Sequence, residues 1–362
     1  MAWNWQLPEW PKFNFKADCI AQQEKRFLLA VGSSSAFLKK VDEAEHRQFL
    51  VEILSREGEE SARIEGEVLD RESLQSSIKR HFGLSVTVKP KYVKEAGMAD
   101  LLYDVYYSYD VPLTHETLWQ WHSKLFKGIS GFDVGKYREH EEPMQIVGHR
   151  LDKTHVFFEA PPSKIVPSEM SRYIEWFNIP SQSVLAKAAI AHLYFENIHP
   201  FEDGNGRIGR ALVEKALSQG VGRPILIATS KVLERRKKEY YEALESCNRA
   251  LEATSWVEFF ADVVLEAQEE ALQLLNFLIE KSKLLTKLSG SLNSRQEKVL
   301  LRMFEEGPSG FKGGLSAEKY IAITKASRAT ATRDLAELVQ LGALFKTGEL
   351  RHARYWLSCP KS

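Results

Sequence analysis

Residues 199–210 read HPFEDGNGRIGR and lie between two stretches of helical spacing, AKAAIAHLYFEN before and ALVEKALSQ after. A glycine-rich turn that joins helix to helix narrows the fold more than any other feature of this chain. GNGRIG is a literal G-x-G-x-x-G, yet a dinucleotide fingerprint needs a strand before the glycines and an acid about twenty residues on. Here the preceding stretch is helical, and the later run PILIATS (224–230) holds no acid. The spacing therefore speaks against a doubly wound nucleotide fold.

The same twelve residues suit another chemistry. Gly204, Asn205 and Gly206 let the backbone turn sharply and approach a ligand closely. A helix beginning near Arg207 would point free N–H groups and its positive end into that turn, which makes an anion site for phosphates. Arg207 and Arg210, three apart, can fork onto phosphate oxygens. Asp203 offers a hard carboxylate for Mg²⁺ (or Mn²⁺), and His199 is placed to accept a proton from an attacking hydroxyl. Phe201 reads as a core plug. His192, Glu196 and His199 fall at i, i+4 and i+7, a spacing that could ligate zinc. His199 precedes Pro200, however, so it is expected to be extended and to end the helix. A buried polar pair of His192 and Glu196 is the preferred reading. A base, a metal carboxylate, a backbone nest and two arginines make a phosphoryl or nucleotidyl transfer site.

Elsewhere the apolar spacing is mostly helical: about 20–82 with a break at Gly32–Ser35, then 98–108, 116–127 with Thr114 as N-cap, 168–178, 183–197, 207–219, 231–250 and 255–288. Two β-like runs, Gln145–Val147 and His155–Phe158, predict a hairpin. Residues 1–17 hold Trp3, Trp5, Trp10, Phe13 and Phe15 with two prolines, and read as an extended aromatic clasp anchored on the protein itself. From about 292 to 358, three helical segments precede two β-like strands, ALFKTG and RHARYWL, the order of a winged helix-turn-helix. The fold class expected is mainly α, with a hairpin and this C-terminal unit.

Lys+Arg and Asp+Glu balance at 49 each, so no global field advertises nucleic acid or membrane. Cys19, Cys247 and Cys359 have no metal spacing and suggest reduced thiols, hence a cytoplasmic location. MAWNWQLPEWPKF lacks the pattern of a signal peptide, and no apolar run reaches 18 residues.

HPFEDGNGRIGR resembles the signature of Fic-domain proteins, His-x-Phe-x-Asp/Glu-Gly-Asn-Gly-Arg-x-x-Arg, at every defined position. The resemblance covers roughly 110–265. It implies a Fic-type helical bundle that moves AMP from ATP onto a Ser, Thr or Tyr hydroxyl of a target protein, releasing pyrophosphate. On this resemblance His199 would be the general base and Asp203 the Mg²⁺ ligand. Gly204, Asn205, Gly206, Arg207 and Arg210 would bind the phosphates, and the hairpin at 142–160 would be a flap that aligns the target by β-augmentation. YYEALESCN resembles the adenine side of the pocket, with Tyr241 and Asn248 seven apart.

SARIEG (61–66) matches a further family pattern, Ser/Thr-x-x-x-Glu-Gly/Asn, carried by an inhibitory helix expected at about 55–70. Glu65 reaching Arg210 would form a charge-assisted hydrogen bond of order 1.5–3 kcal/mol and occupy the arginine that the γ-phosphate needs. The resemblance leaves open a second use of Glu65, orienting water to remove AMP. The expected division is 1–109 (clasp and inhibitory region), 110–265 (catalytic core), 266–291 (linker helix) and 292–362 (winged helix). An alternative makes the chain a DNA-binding regulator with the core as nucleotide sensor, because Arg328, Thr330 and Arg333 would lie on the presumed recognition helix. Docking of DNA or protein there, and a homodimer, remain open at this level.

Overall fold

The computed structural model describes residues 2–38, 41–86, 92–129, 131–150, 153–307 and 310–358. Fourteen helices and four strands run in the order α1 (Ala21–Leu38), α2 (Glu43–Ile64), α3 (Arg71–His81), α4 (Val93–Tyr107), α5 (His115–Leu125), β1 (Gln145–Arg150), β2 (Lys153–Glu159), α6 (Val166–Asn178), α7 (Val184–Ile198), α8 (Asn205–Val221), α9 (Thr229–Arg235), α10 (Lys237–Ser246), α11 (Thr254–Lys287), α12 (Ser294–Glu305), α13 (Ala317–Thr324), α14 (Arg328–Gln340), β3 (Leu344–Thr347) and β4 (Arg354–Leu357) among the described residues. Residues up to 38 and 50–269 form one compact unit, and 39–49 with 270–362 form another.

In the first unit α7 is the central element. Ala188, Ala189, Ala191, Leu193, Phe195 and Ile198 are all fully buried, as expected of a helix apolar on every side. Its start is fixed twice. Ser183 accepts from Ala186 N, and the carboxylate of Glu24 on α1 accepts from Val184 N at 2.8 Å and Leu185 N at 3.1 Å. Those N–H groups have no partner within the helix, and a carboxylate also complements the helix's positive end. The next helix, α8, packs along α7, so the loop that joins them is held at both ends. Thr114 caps α5 by accepting from Thr117 N, as its position before the periodic run suggests.

β1 and β2 pair antiparallel, Gln145 opposite Glu159 and Arg150 opposite Lys153, with a register irregularity between Ile146 and Val147. The turn at 151–152 lies outside the described residues. The N-terminal segment packs on the first unit, but it is not extended: Asn4–Gln6 form a 3-10 turn and further turns follow. Trp3 stacks edge-on against Phe158 at 5.4 Å, and Trp10 against Tyr194 at 5.2 Å. Their indoles are directional as well as apolar. Trp5 Nε1 donates to Glu159 O at 2.7 Å and Trp10 Nε1 to Glu169 Oε2 at 2.8 Å. Turns rather than an extended strand let alternate rings and N–H groups face the same surface.

Several expected boundaries move. Gly32–Ser35 does not break α1, which continues to Leu38. Buried Phe27 and Val31 anchor that helix, and Ser33 Oγ satisfies itself on Leu29 O at 3.1 Å, so one interior glycine is tolerated. The stretch 231–250 is two helices, α9 and α10, joined at Arg236, whose φ −102° and ψ 26° depart from helical values. No helix fills 55–70. Instead α2 ends at Ile64, and Gly66 at φ 81° turns the chain in a conformation that suits glycine.

The second unit holds α12–α14 and the antiparallel pair β3/β4, with Leu344 opposite Leu357. Val299, Leu300, Met303, Tyr320, Leu335 and Leu338 form its core. Inside it Tyr320 Oη donates to Asp334 Oδ2 at 2.9 Å, and Arg295 Nε donates to the same oxygen at 2.9 Å. Ser327 caps α14 through Thr330 N, and Gly342 follows its end at φ 71°. Arg328 and Arg333 are exposed and Thr330 half-buried, with Arg328 3.5 Å from Glu318. Among the described residues no helix is long and apolar enough to cross a membrane. Cys19 and Cys247 are free thiols, and Cys359 lies outside the described residues.

Candidate active site

The joint between α7 and α8 is built from its own side chains. Phe201 is fully buried and stacks on His122 with ring centroids 4.3 Å apart. Asn205 then locks the turn: its Oδ1 accepts from Phe201 N at 2.9 Å and its Nδ2 donates to Phe201 O at 2.8 Å. Gly204 caps α8 at φ 82°, and a Cβ there would lie 2.6 Å from Phe126 Cε2. The helix starts at Asn205, two residues before the expected Arg207, so Asn205 serves as a latch for the turn.

His199 closes α7, but not in the extended form expected before proline. It adopts φ 51°, ψ 60°, with its N–H donated to Phe195 O at 2.9 Å. Histidine is among the few residues enriched in this left-handed region. The imidazole is half-buried, with its Nδ1 inaccessible, lacking a hydrogen-bond partner and 3.8 Å from Glu196 Oε2. Burial first, and then the charge of Arg138, hold it down to about 4, so the ring is neutral at pH 7 and able to take a proton. Glu196 is pushed up to about 8 by burial and by Glu65, and is mostly protonated at pH 7. His192 donates or accepts with Tyr240 Oη at 2.7 Å, and burial holds it down to about 3. No group of three His, Cys, Asp or Glu gathers as a metal site among the described residues. His192 and Glu196 both face Gly209 of α8, where a Cβ would meet Glu196 Oε1 at 2.7 Å and His192 Nδ1 at 2.9 Å.

Both arginines of the turn are engaged. Arg210 is fully buried, donating from Nε to Ser61 Oγ at 2.9 Å and from Nη2 to Ser61 O and Glu65 Oε1, each at 2.8 Å. Its Nη1 has no partner. Arg207 donates from Nη1 to Glu67 Oε2 at 3.0 Å and from Nη2 to Asp203 Oδ1 at 3.3 Å. Burial alone would raise the Glu65 carboxyl, but Arg210, Arg207 and His199 together bring it below the ordinary value. Arg210 is correspondingly raised: burial opposes its charge, and Glu65 more than offsets that. A Cβ on Gly206 would lie 2.0 Å from Glu65 Oε1 and 2.9 Å from Arg210 Nη1, so the carboxylate lies directly over the start of α8. Asp203 keeps an exposed side chain at the rim of the turn.

A cavity of about 670 Å³ opens beside these groups, lined by Glu65, Glu196, His199, Gly206, Tyr240, Tyr241, Asn248 and, from β2, Phe157 and Phe158. Tyr241 and Asn248 share this cavity but not one helix, because α10 ends at Ser246. Asn248 instead donates from Nδ2 to Phe157 O at 3.0 Å, tying the cavity wall to the hairpin. Three participants escaped the sequence reading. Glu67 lies one residue past the SARIEG pattern, Tyr240 is the neighbour of the tyrosine chosen, and Arg138 has no spacing signal at all. A glutamate just beyond a Glu-Gly turn was the one available hint.

The orphaned Nη1 of Arg210 and the N-terminus of α8 fit an anionic ligand such as a polyphosphate, at a place that the Glu65 carboxylate now takes. Asp203, exposed beside them, fits a hard divalent cation that arrives with such a ligand.

Residues 112–217 match the model of the Fic/DOC family, and residues 3–84 match a domain of unknown function, DUF4172. A probable protein adenylyltransferase of Aquifex aeolicus is 33% identical over 132 residues, 36% of this chain and 33% of that protein. Protein adenylyltransferase Fic of Drosophila melanogaster is 28% identical over 186 residues, 46% of this chain and 36% of that protein. The chain thus spans about a third of the length of these curated relatives. In fold it is similar to a Fic family protein from Desulfovibrio desulfuricans, with TM-score 0.56 and 21% identity over 96% of this chain and 98% of that one. A Fic domain-containing signaling protein from Bacteroides thetaiotaomicron gives TM-score 0.51 and 19% identity over 70% and 97%. The similarity to the Fic/DOC family thus lies in residues 112–217, and the protein adenylyltransferases resemble this chain over 132 and 186 residues.

Proposed function

We propose that the protein transfers AMP from ATP to a Ser, Thr or Tyr hydroxyl of a target protein, and that Glu65 restrains this activity. The observation that supports the reading is the half-buried, neutral His199 beside a turn whose Arg210 is held by Glu65 and whose Arg207 is held by Glu67.

His199 takes the proton of the target hydroxyl as its oxygen bonds to the α-phosphorus. The bond from that phosphorus to the bridging oxygen breaks, and pyrophosphate leaves. The N–H groups at the start of α8 bind phosphate oxygens, with Arg207 and Arg210 on the outer ones. Asp203 would hold a Mg²⁺ (or Mn²⁺) ion, which would supply positive charge to the nucleotide's phosphates. Tyr241 and Asn248 line the adenine side. The β1/β2 hairpin serves as the flap on which the target segment adds as a strand. While Glu65 holds Arg210, the γ-phosphate loses its arginine and the α-phosphate is misaligned for attack. In removal of AMP, a water oriented by Glu65 would attack the phosphorus of the AMP ester, the bond to the target oxygen would break, a proton from His199 would return to that oxygen, and AMP would leave.

The C-terminal unit is a winged-helix docking module in this reading. A gel shift with random duplex at low salt separates DNA docking, which retards the duplex, from protein docking or a homodimer, which does not. The central test uses ATP labelled at the α- or the γ-phosphate with the Glu65→Gly protein. Label entering protein from the α position alone is expected. Label entering from the γ position, or from neither, would overturn AMP transfer.

A further inference from the structure

Arg138 lies between α5 and β1 and is only 3% exposed, yet its side-chain acceptors are all neutral. Nε donates to His199 O at 2.8 Å, Nη1 to Ser163 Oγ at 2.8 Å, and Nη2 to Pro161 O and to Ile198 O, the latter at 3.3 Å. Its own backbone N–H donates to Pro200 O at 2.9 Å. Burying a guanidinium among carbonyls and a hydroxyl is costly even when every donor is used, and burial lowers Arg138 to about 10.

The acceptors divide into two groups. Ile198, His199 and Pro200 are the end of α7 and the start of the turn. Pro161 and Ser163 are the segment that leaves β2, which ends at Glu159. One planar fork therefore spans the root of the hairpin and the carbonyl of the residue that holds the imidazole. That residue is in a left-handed conformation before a proline, which neighbours must hold in place.

We infer that Arg138 is a positioning residue for the transfer, setting the offset between the His199 imidazole and the hairpin that presents the target hydroxyl. The inference rests on the reading of His199 as base and of the hairpin as flap. Arg138 does not line the cavity beside His199; it acts through the two segments it joins. Such an offset matters because a misplacement of about 1 Å costs about 100-fold in rate. Lysine carries the charge but not the fork, so it cannot bridge both segments.

The test compares Arg138→Ala and Arg138→Lys with Arg138 intact, all in the Glu65→Gly protein. It reads kcat and KM for AMP incorporation, affinity for a non-transferable α,β-methylene analogue of ATP, and thermal melting. Both variants should lose about 100-fold in kcat and keep their KM and analogue affinity, and millimolar methylguanidinium should restore part of the Arg138→Ala rate but none of the Arg138→Lys rate. An unchanged kcat, analogue affinity falling in step with kcat, absence of rescue, or melting that leaves both variants unfolded would each overturn the inference. His199→Ala is measured alongside. If it stays active, the reading of His199 as base fails. If it is inactive while the Arg138 variants turn over normally, only the positioning role fails.

Discussion

Glu67 Oε2 accepts a hydrogen bond from Arg207 Nη1 at 3.0 Å, two residues beyond the glutamate that holds Arg210 at 2.8 Å. The left-handed Gly66 between them reverses the chain enough for both carboxylates to reach α8. The segment after α2 thus covers both arginines of the turn. Glu65→Gly should raise incorporation of labelled AMP, and Glu65→Gly with Glu67→Gln should raise it further, since a charge-assisted hydrogen bond contributes about 1.5–3 kcal/mol. Rates from the single and double variants decide this. A double variant no faster than Glu65→Gly would show that Glu67 is only a surface partner.

His199 is expected to be the largest single contributor to the rate. In the Glu65→Gly protein, His199→Ala should lower AMP incorporation by about 10²–10⁴-fold while leaving binding of a non-transferable ATP analogue in place. An unchanged rate would remove His199 from the chemistry.

The protonation of the same ring gives an independent check. Burial and Arg138 hold it down to about 4, below the ordinary histidine value near 6.5. Below pH 6.5 the unfolded chain takes up a proton that the folded imidazole refuses, so this group's contribution to stability declines from there down to about pH 4. In the ligand-free protein, NMR of the His199 ring, assigned by loss of its signal in His199→Ala, should report the neutral form from pH 8 to about 5. A midpoint near 6.5 would mean that the ring is solvated rather than buried.

Asp203 should make itself known through metal dependence. Chelating divalent cations with EDTA is expected to abolish AMP incorporation, and Asp203→Asn should move the Mg²⁺ concentration for half-maximal rate upward. A Mg²⁺ titration that superimposes on that of the Asp203 protein would assign the cation to other ligands.

The crossing of α4 and α5 supplies a test of packing alone. A Cβ on Gly97 would lie 2.2 Å from the backbone oxygen of Lys124, and a helix backbone cannot yield as a side-chain tip can. Gly97→Ala should therefore cost about 1–3 kcal/mol, read as a lower urea midpoint. A midpoint that does not move would show that the two helices separate freely.

Much was legible before any coordinates. Apolar periodicity marked α5–α8 and α11, because a helix between packed neighbours must repeat its apolar face every three to four residues. Thr114 marked a helix start, since its hydroxyl satisfies an N–H group that the helix leaves free. The sharp joint between α7 and α8 was marked by Gly204, which takes φ 82°, and Asn205, whose amide closes the turn on Phe201. Local rules failed where long-range contacts outweighed them. His199 takes a left-handed conformation against the preference set by Pro200, in a setting where Arg138 grips the carbonyls on either side. The glycine and serines at 32–35 stay helical because Phe27 and Val31 anchor the helix.

By itself, then, the sequence determined most of the helices, caps such as Thr114 and the sharp turn between α7 and α8, all consequences of residues close in the chain. Tertiary structure alone decided which charges face each other. Glu65 and Glu67 are 145 and 140 residues from Arg210 and Arg207, and Arg138 is 61 residues from His199. No periodicity encodes such pairs, because their energy comes from burying opposite charges and unsatisfied donors together, which happens only once the helices have packed.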